Sequence, residues 1–442
     1  MEYLRLTWAR SKIFRIILII ASIYVVLRIG AHFFYYAIIL PESTGRAGIV
    51  VPVDLQVYLD AAERFLLRQN LYPEGKLPED LLGYEYPPFY AIVSTPFLWI
   101  PTDWLVILYT LLHLVGFGML YTSWDRIFCQ LGLSQARERL SLCLPIWLVF
   151  SAFWNDITYL NNYTFMALLA TLLIESVVNE HLGRSLLWLS IILQIKPQWA
   201  FAAALPLFLR RWRFFSKLLI SATAVYLAIT GITVALAGFA YSWQQYRSYF
   251  LQIWNYTDIF PWQGPGAQYL GYHHSIVQTA FYLFGVTPTV RQVVVGIKLA
   301  LLAPLMVLLF WPTHRIERDD PQQSLGLAFA LYLGTFIWLD VIAELTLGIV
   351  VFIYLLVKVK QRGLNILLWI TFLIYALSDF CEFVSIAVFG DQIIAHAKPV
   401  DVVITNPNIY IPTIMIVILT FYALLLKQLW CKTNQFPDQK SF

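Results

Sequence analysis

Charge is what this chain has least of: 13% of its 442 residues are Asp, Glu, Lys or Arg, against 60% hydrophobic and 17% aromatic. So little charge over so much apolar sequence excludes a disordered chain and points to one dissolved in lipid, with several spans of roughly 20 apolar residues. The net charge of +4 comes from scattered basic residues and gives no footprint for nucleic acid. Cysteine is scarce as well. Cys129, Cys143, Cys381 and Cys431 lie in or beside apolar runs without CxxC spacing, which excludes a disulfide framework or a zinc site. No cofactor is implied. Repeats of fixed period and low-complexity tracts are missing, which sets aside solenoids and disordered tails. No small-residue cleavage pattern follows the first apolar run, which at about 25 residues is too long for a signal-peptide core.

What is present is a series of apolar runs: Ile16 to Leu40, Trp104 to Tyr121, Ile157 to Val178, Phe215 to Phe239, Val290 to Trp311, Leu364 to Phe389 and Ile409 to Leu426. Shorter pieces fill the gaps at Ser141 to Trp154, Ser185 to Ile195, Gln198 to Leu209, Leu325 to Leu339 and Ile342 to Val357. Together they predict an all-α, polytopic transmembrane bundle of about twelve helices. Half-length helices at membrane depth need protein or water around their ends, which is how buried cavities arise. Lys and Arg gather at Arg126 to Arg139, Arg184, Arg210 to Lys217, Arg315 to Arg318, Lys358 to Arg362 and the tail Lys427 to Lys440. The positive-inside rule puts these in the cytoplasm with both termini. Loops 41–86, 239–289 and 389–408, with most of the carboxylates, then face outward. The whole chain reads as one integral domain, with a helix module over 13–358 and C-terminal helices over 359–442.

The longest polar interruption is Val53 to Pro88. Leu55, Tyr58, Leu59, Ala62, Phe65 and Leu66 recur there at helical spacing, which predicts an amphipathic helix lying on the interface of the first outer loop. Asp54 at its start reads either as a helix cap or as a carboxylate that takes a proton from an acceptor hydroxyl, and the two roles are compatible. Tyr58 and Tyr86-Pro87-Pro88 lie near it in sequence. Asn155-Asp156 and Asn161-Asn162 form a second group. Lys196-Pro197-Gln198 is a third, where a lysine within a span needs a partner or an aqueous cavity; an ion pair with Asp156 and a lipid phosphate are its two readings. The outer loop Ser242 to Gln278 supplies Arg247 and the pair His273-His274, which lack the spacing of zinc ligands and can donate to a phosphate. Asp340 and Glu344, one helical turn apart, are expected to face one cavity. Arg28, midway along the first span, reads as a buried ion-pair member.

Asp54-Leu55-Gln56-Val57-Tyr58, Ala61-Ala62, Leu71-Tyr72 and Tyr86-Pro87-Pro88-Phe89 with Pro96-Phe97 resemble the opening of family 87 of the polyprenol-phosphate-sugar-dependent glycosyltransferases, in the GT-C superfamily. Asn161-Asn162 stands where that family has a Gln-x-Asn type motif. Ile195-Lys196-Pro197-Gln198 with Pro206 and Arg210-Arg211-Trp212-Arg213 agrees, and His274-Ser275 stands where the family has an Asn-Gln-Ser type motif. The likeness runs from about residue 50 to 345. It implies a GT-C-like fold, a catalytic aspartate in the first outer loop, carried over to Asp54, and a sugar donor linked to polyprenyl phosphate. Trp338-Leu339-Asp340-Val341 lacks the histidines the family often shows there, so either Asp340 or Glu344 replaces that function or the acceptor differs.

The expected activity is transfer of a hexose or pentose, with inversion, from a polyprenyl-phosphate donor to a lipid or glycan acceptor of the envelope, on the outer face of the plasma membrane. Asp54 is the expected base. Lys196, His274 and Arg247 are the expected phosphate ligands, and Tyr58, Tyr86, Asn162, His273, Asp340 and Glu344 the expected acceptor-side or supporting residues. A flippase for a lipid-linked saccharide would use the same lysine and broken helices. It would also need polar residues along both halves of its path and an internal repeat, and neither is visible. A non-catalytic scaffold of an envelope complex would leave Asp54 as a cap.

Overall fold

A computed structural model describes residues 2–45, 48–72, 83–271, 273–310, 320–342, 344–396 and 410–433. The loop after Tyr72, the basic group Arg315 to Arg318, Asp401 and the end of the basic tail lie outside these described residues.

The described residues are helical and contain no strand. In chain order the principal helices are α1 (Lys12–Phe34), α2 (Val53–Leu66), α3 (Pro88–Ser94), α4 (Thr102–Gln130), α5 (Ser151–Tyr159), α6 (Tyr163–Val178), α7 (Leu182–Ile195) and α8 (Trp212–Ala237). They continue with α9 (Phe239–Trp254), α10 (Ile276–Phe284), α11 (Pro288–Phe310), α12 (Pro321–Trp338), α13 (Gly348–Lys358), α14 (Arg362–Ala376), α15 (Ser378–His396) and α16 (Thr413–Thr433). Segments that are apolar on every face are central, because no side of them gains from water. Every residue of α13 from Gly348 to Leu355 is buried, for example. Helices α6 and α12 share this core, α6 packing on α4 and α7 and α12 on α16.

Among the described residues five helices are long and apolar enough to cross a membrane: Lys12–Ser43, Thr102–Gln130, Trp212–Ala237, Pro288–Phe310 and Thr413–Trp430. Seven result if the bent pairs Ser134–Leu142 with Leu144–Tyr159 and Arg362–Ala376 with Ser378–Val388 each count once. Among the described residues these counts do not confirm the expected bundle of about twelve helices as twelve full-length spans. Tyr163–Val178, Leu182–Ile195 and Gly348–Lys358 are apolar but short, and at 1.5 Å rise per residue they fall below the hydrocarbon thickness.

Two of the expected runs are interrupted. Ile157 to Val178 breaks because Leu160 takes a left-handed conformation, φ 52°, and the Asp156 carboxylate accepts from the amides of Tyr163 (3.0 Å) and Thr164 (2.7 Å), capping α6 from six residues upstream of Asn162. The second break falls between α14 and α15, bent by 52°. After Lys196, Pro197 opens a 3-10 segment, Pro197–Ala204, so that α7 ends where proline forbids its continuation.

Helix α2 forms over Val53–Leu66 and buries Leu55, Tyr58, Ala61, Ala62 and Phe65. It packs on α3 and the turn Thr95–Trp99. The expected face is shifted slightly, since Leu66 is 55% exposed while Asp54 falls on the buried side.

Candidate active site

Pro52, not Asp54, is the N-cap of α2. The Asp54 carboxylate instead leaves its own helix and accepts a hydrogen bond from Asn161 Nδ2 at 3.0 Å. Asn161 occupies the strained turn between α5 and α6, where the αL conformation of a non-glycine residue costs of order 1 to 3 kcal/mol. The same turn is tied down by His113, whose Nε2 lies 2.6 Å from the Asn161 carbonyl oxygen. With its backbone held, the Asn161 side chain serves as a connector. Its Oδ1 accepts from Lys196 Nζ at 2.9 Å, from Tyr58 Oη at 3.2 Å and from Tyr86 Oη at 3.3 Å. One amide therefore holds a carboxylate at its nitrogen and an ammonium at its oxygen.

Lys196 lies 3.7 Å from the ring centroid of Tyr163 and 5.3 Å from that of Tyr86. These aromatic faces stabilise a buried cation without consuming it in an ion pair. The alternative of an ion pair with Asp156 does not describe it: the Asp156 carboxylate is committed to the α6 amides and to His113, 3.6 Å away.

Asp54, Asn161, Lys196, Glu85, Tyr86 and Tyr163 line a cavity of about 630 Å³, with Glu344, Asn155, His273, His274 and Tyr256 on further walls. Burial is the largest influence on Asp54 and lifts its carboxyl to about 6, opposed by Lys196 and the Asn161 hydrogen bond. Glu344 is 5% exposed and burial pushes it well above the usual carboxylate range; its Oε2 has no hydrogen-bond partner among the described residues. The backbone just after it is held by the Leu345 amide, which donates to Tyr375 Oη at 3.0 Å. Burial also lowers His273 to about 4, so its ring is neutral near pH 7. His274 is fixed through its backbone amide to Ile342 O (2.9 Å) and through Nδ1, which accepts from the Ile414 amide (3.3 Å).

Other expected residues stand apart from this cavity. Arg247 is exposed on α9, amid exposed Phe239, Trp243, Phe250 and Trp254, and does not line it. Arg247→Ala should consequently leave turnover and donor KM near wild type; a large loss in either would return it to the site. Asp340 pairs with Lys298 of α11 and accepts from Thr257 Oγ1, while Glu344 lines the cavity, so the two do not share one face. Tyr58 is buried behind Tyr86, their hydroxyl oxygens 2.8 Å apart. Asn162 turns away to Tyr90 (2.7 Å) and Tyr109 (2.6 Å). Arg28, which does line the cavity, forms the expected ion pair there, with Asp379 at 3.1 Å.

Of the two adjacent asparagines the expectation named Asn162, whereas Asn161 lines the cavity, as do Glu85 and Tyr256, which were not among the expected residues. Adjacent asparagines carry no periodic signal that distinguishes them. Glu85 did have one, as the only charge within Tyr84 to Pro88.

Residues 84–340, more than half of the chain, match the model of glycosyltransferase family 87. This segment contains Glu85, Asn161, Lys196 and His274 but begins after α2, so Asp54 lies outside it. No curated protein and no solved structure matches the chain.

Proposed function

The chain belongs to glycosyltransferase family 87 and is a membrane glycosyltransferase, and from that premise we propose that it transfers a hexose or pentose from a polyprenyl-phosphate donor to a lipid or glycan acceptor of the envelope, with inversion, on the extracytoplasmic side of the plasma membrane. The observation that carries this reading is the Asp54–Asn161–Lys196 connection, a proton acceptor and a cation fixed on one amide in a shared cavity.

In this reading the acceptor hydroxyl gives its proton to Asp54 while its oxygen bonds to the anomeric carbon. The bond from that carbon to the phosphate oxygen breaks, and its electron pair leaves with polyprenyl phosphate, which gains a negative charge. Lys196, with His274 on the adjacent wall, stabilises that charge; a preorganised donor of this kind contributes about 3 kcal/mol. Burial raises the basicity of Asp54 while leaving it ionised near pH 7. Glu344, whose carboxyl is pushed well above the usual range by burial, favours its protonated form and in it offers a hydrogen bond on the acceptor side. A prenyl chain needs a way in from lipid, and Phe34, Tyr35 and Ile39 of the first helix, which line the cavity while more than two-fifths exposed, supply an apolar threshold.

Incubating membranes that hold the protein with labelled polyprenyl-phosphate sugars and envelope lipids or glycans tests the reading: a new glycosylated product is expected, and movement of label across the bilayer without a product would favour a flippase. The face is tested separately. Reporters fused after Lys217 or Arg362 should be cytoplasmic and one at Trp262 extracytoplasmic; inverted signals would end the outer-face reading.

A further inference from the structure

We propose that Glu85, paired with Tyr256, reads the hydroxyl pattern of the donor sugar; this rests on the donor reading above. Glu85 lines the same cavity as Asp54 and Lys196, and its charge acts on both. It therefore stands beside both the base and the cation. A sugar whose anomeric carbon bridges them must pass it.

The backbone on either side of Glu85 is pinned. Gln252 Nε2 donates to the Tyr84 carbonyl at 3.1 Å, and Tyr72 Oη donates to the Tyr86 carbonyl at 2.6 Å. Tyr84 and Tyr86 are 3% and 5% exposed, whereas Glu85 between them is open to the cavity it lines. Its Oε1 accepts from Tyr256 Oη, and Oε2 has no hydrogen-bond partner among the described residues. A carboxylate can accept several hydrogen bonds, so acceptor capacity remains for sugar hydroxyls.

Electrostatics argues the same way. A carboxylate this close to the cation that receives a phosphate opposes anion binding, and that opposition is offset when a sugar hydroxyl donates to it. Bare polyprenyl phosphate offers no such donor, while a glycosyl phosphate does. Glu85 thus favours the loaded lipid over the spent one and distinguishes sugars by where their hydroxyls fall.

The test compares binding of polyprenyl-phosphate mannose, polyprenyl-phosphate glucose and bare polyprenyl phosphate to the full-length protein in lipid nanodiscs. Wild type should prefer one sugar lipid over the bare phosphate. Glu85→Gln should weaken that sugar lipid by roughly 10- to 100-fold, the usual worth of a hydrogen bond to a charged group, while the bare phosphate, relieved of the opposing carboxylate, binds no less tightly than to wild type. Tyr256→Phe, which keeps the carboxylate, should weaken the same lipid by a smaller factor and supplies the answer if Glu85→Gln does not fold. Equal loss for all three probes, or no loss, would overturn the inference and reduce Glu85 to a brace for Tyr256. A wild type that binds every sugar lipid no better than bare phosphate would overturn the donor reading itself.

Discussion

Asp54→Asn should lower turnover by roughly 10²- to 10⁴-fold, the usual range for loss of a general base, while raising the melting temperature of the protein. The two effects have one cause. Burial lifts the Asp54 carboxyl from 3.8 to about 6, so the fold disfavours the ionised form that catalysis needs. A folded value above the unfolded one means that the stabilising contribution is complete below the unfolded value and is lost as pH rises through about 6. At pH 7 the ionised carboxylate therefore destabilises the fold, by an amount that corresponds to about 3 kcal/mol. Asparagine cannot ionise and recovers this. The attraction of Lys196 and the Asn161 hydrogen bond to the ionised form are already contained in the value of about 6, and the further loss is the attraction of a first-turn charge to the helix dipole, about 0.3 to 1 kcal/mol. A helix cap would behave differently, because asparagine caps as well as aspartate and turnover would persist. In the wild type the rate should climb with pH through about 6 and level off above it, a limb that Asp54→Asn removes. Asp60, which accepts from Gln56 at 2.6 Å on the other face of the same helix, is the control, and its Asn variant should stay active. Near-normal turnover of Asp54→Asn with the correct donor would show that the base lies elsewhere.

Helices α1, α8 and α11 were legible in the sequence because each is a long, mostly apolar run with no break of the helix inside it, and length and hydropathy suffice for such segments. Ile157 to Val178 looked similar but was not one helix, since its break depends on a side chain, Asp156, folding back onto amides seven and eight residues later. That contact is tertiary, and hydropathy does not register it. The polar pairs at 155–156 and 161–162 marked the place without revealing which asparagine faces the cavity. Asp340 and Glu344 were paired on the assumption of a helical turn. The described residues between Leu339 and the turn before Gly348 are non-helical, and the two side chains diverge, one to Lys298 and the other to the cavity. Arg247 shows the opposite error: Phe239, Trp243, Arg247 and Trp254 fall close to multiples of four apart, which already placed the arginine on a stripe with lipid-seeking aromatics.

Lys196→Gln should cost roughly 10² to 10³ in turnover, the loss expected when one preorganised donor to a developing charge is removed, and should shift the pH limb of the remaining activity upward. The second effect is the more diagnostic. Lys196 is the strongest influence holding the Asp54 carboxyl down against burial, so without the ammonium Asp54 takes its proton at a higher pH and the rate climbs above pH 6 rather than through it. Glutamine keeps a polar donor on a side chain one bond shorter while deleting the charge. If the lysine served only to balance buried carboxylates, the variant would be unstable or fail to insert, because unpaired charges would remain in the interior. If it holds the donor phosphate, the folded variant should bind polyprenyl phosphate and its sugar-bearing form equally less well. The double variant Asp54→Asn with Lys196→Gln should be little worse than the more damaging single one, since groups acting on the same transition state do not lose activity additively. A folded Lys196→Gln protein with an unmoved pH limb and unaltered donor affinity would remove the lysine from the mechanism and leave the charge of the departing phosphate to His274 and the backbone around it.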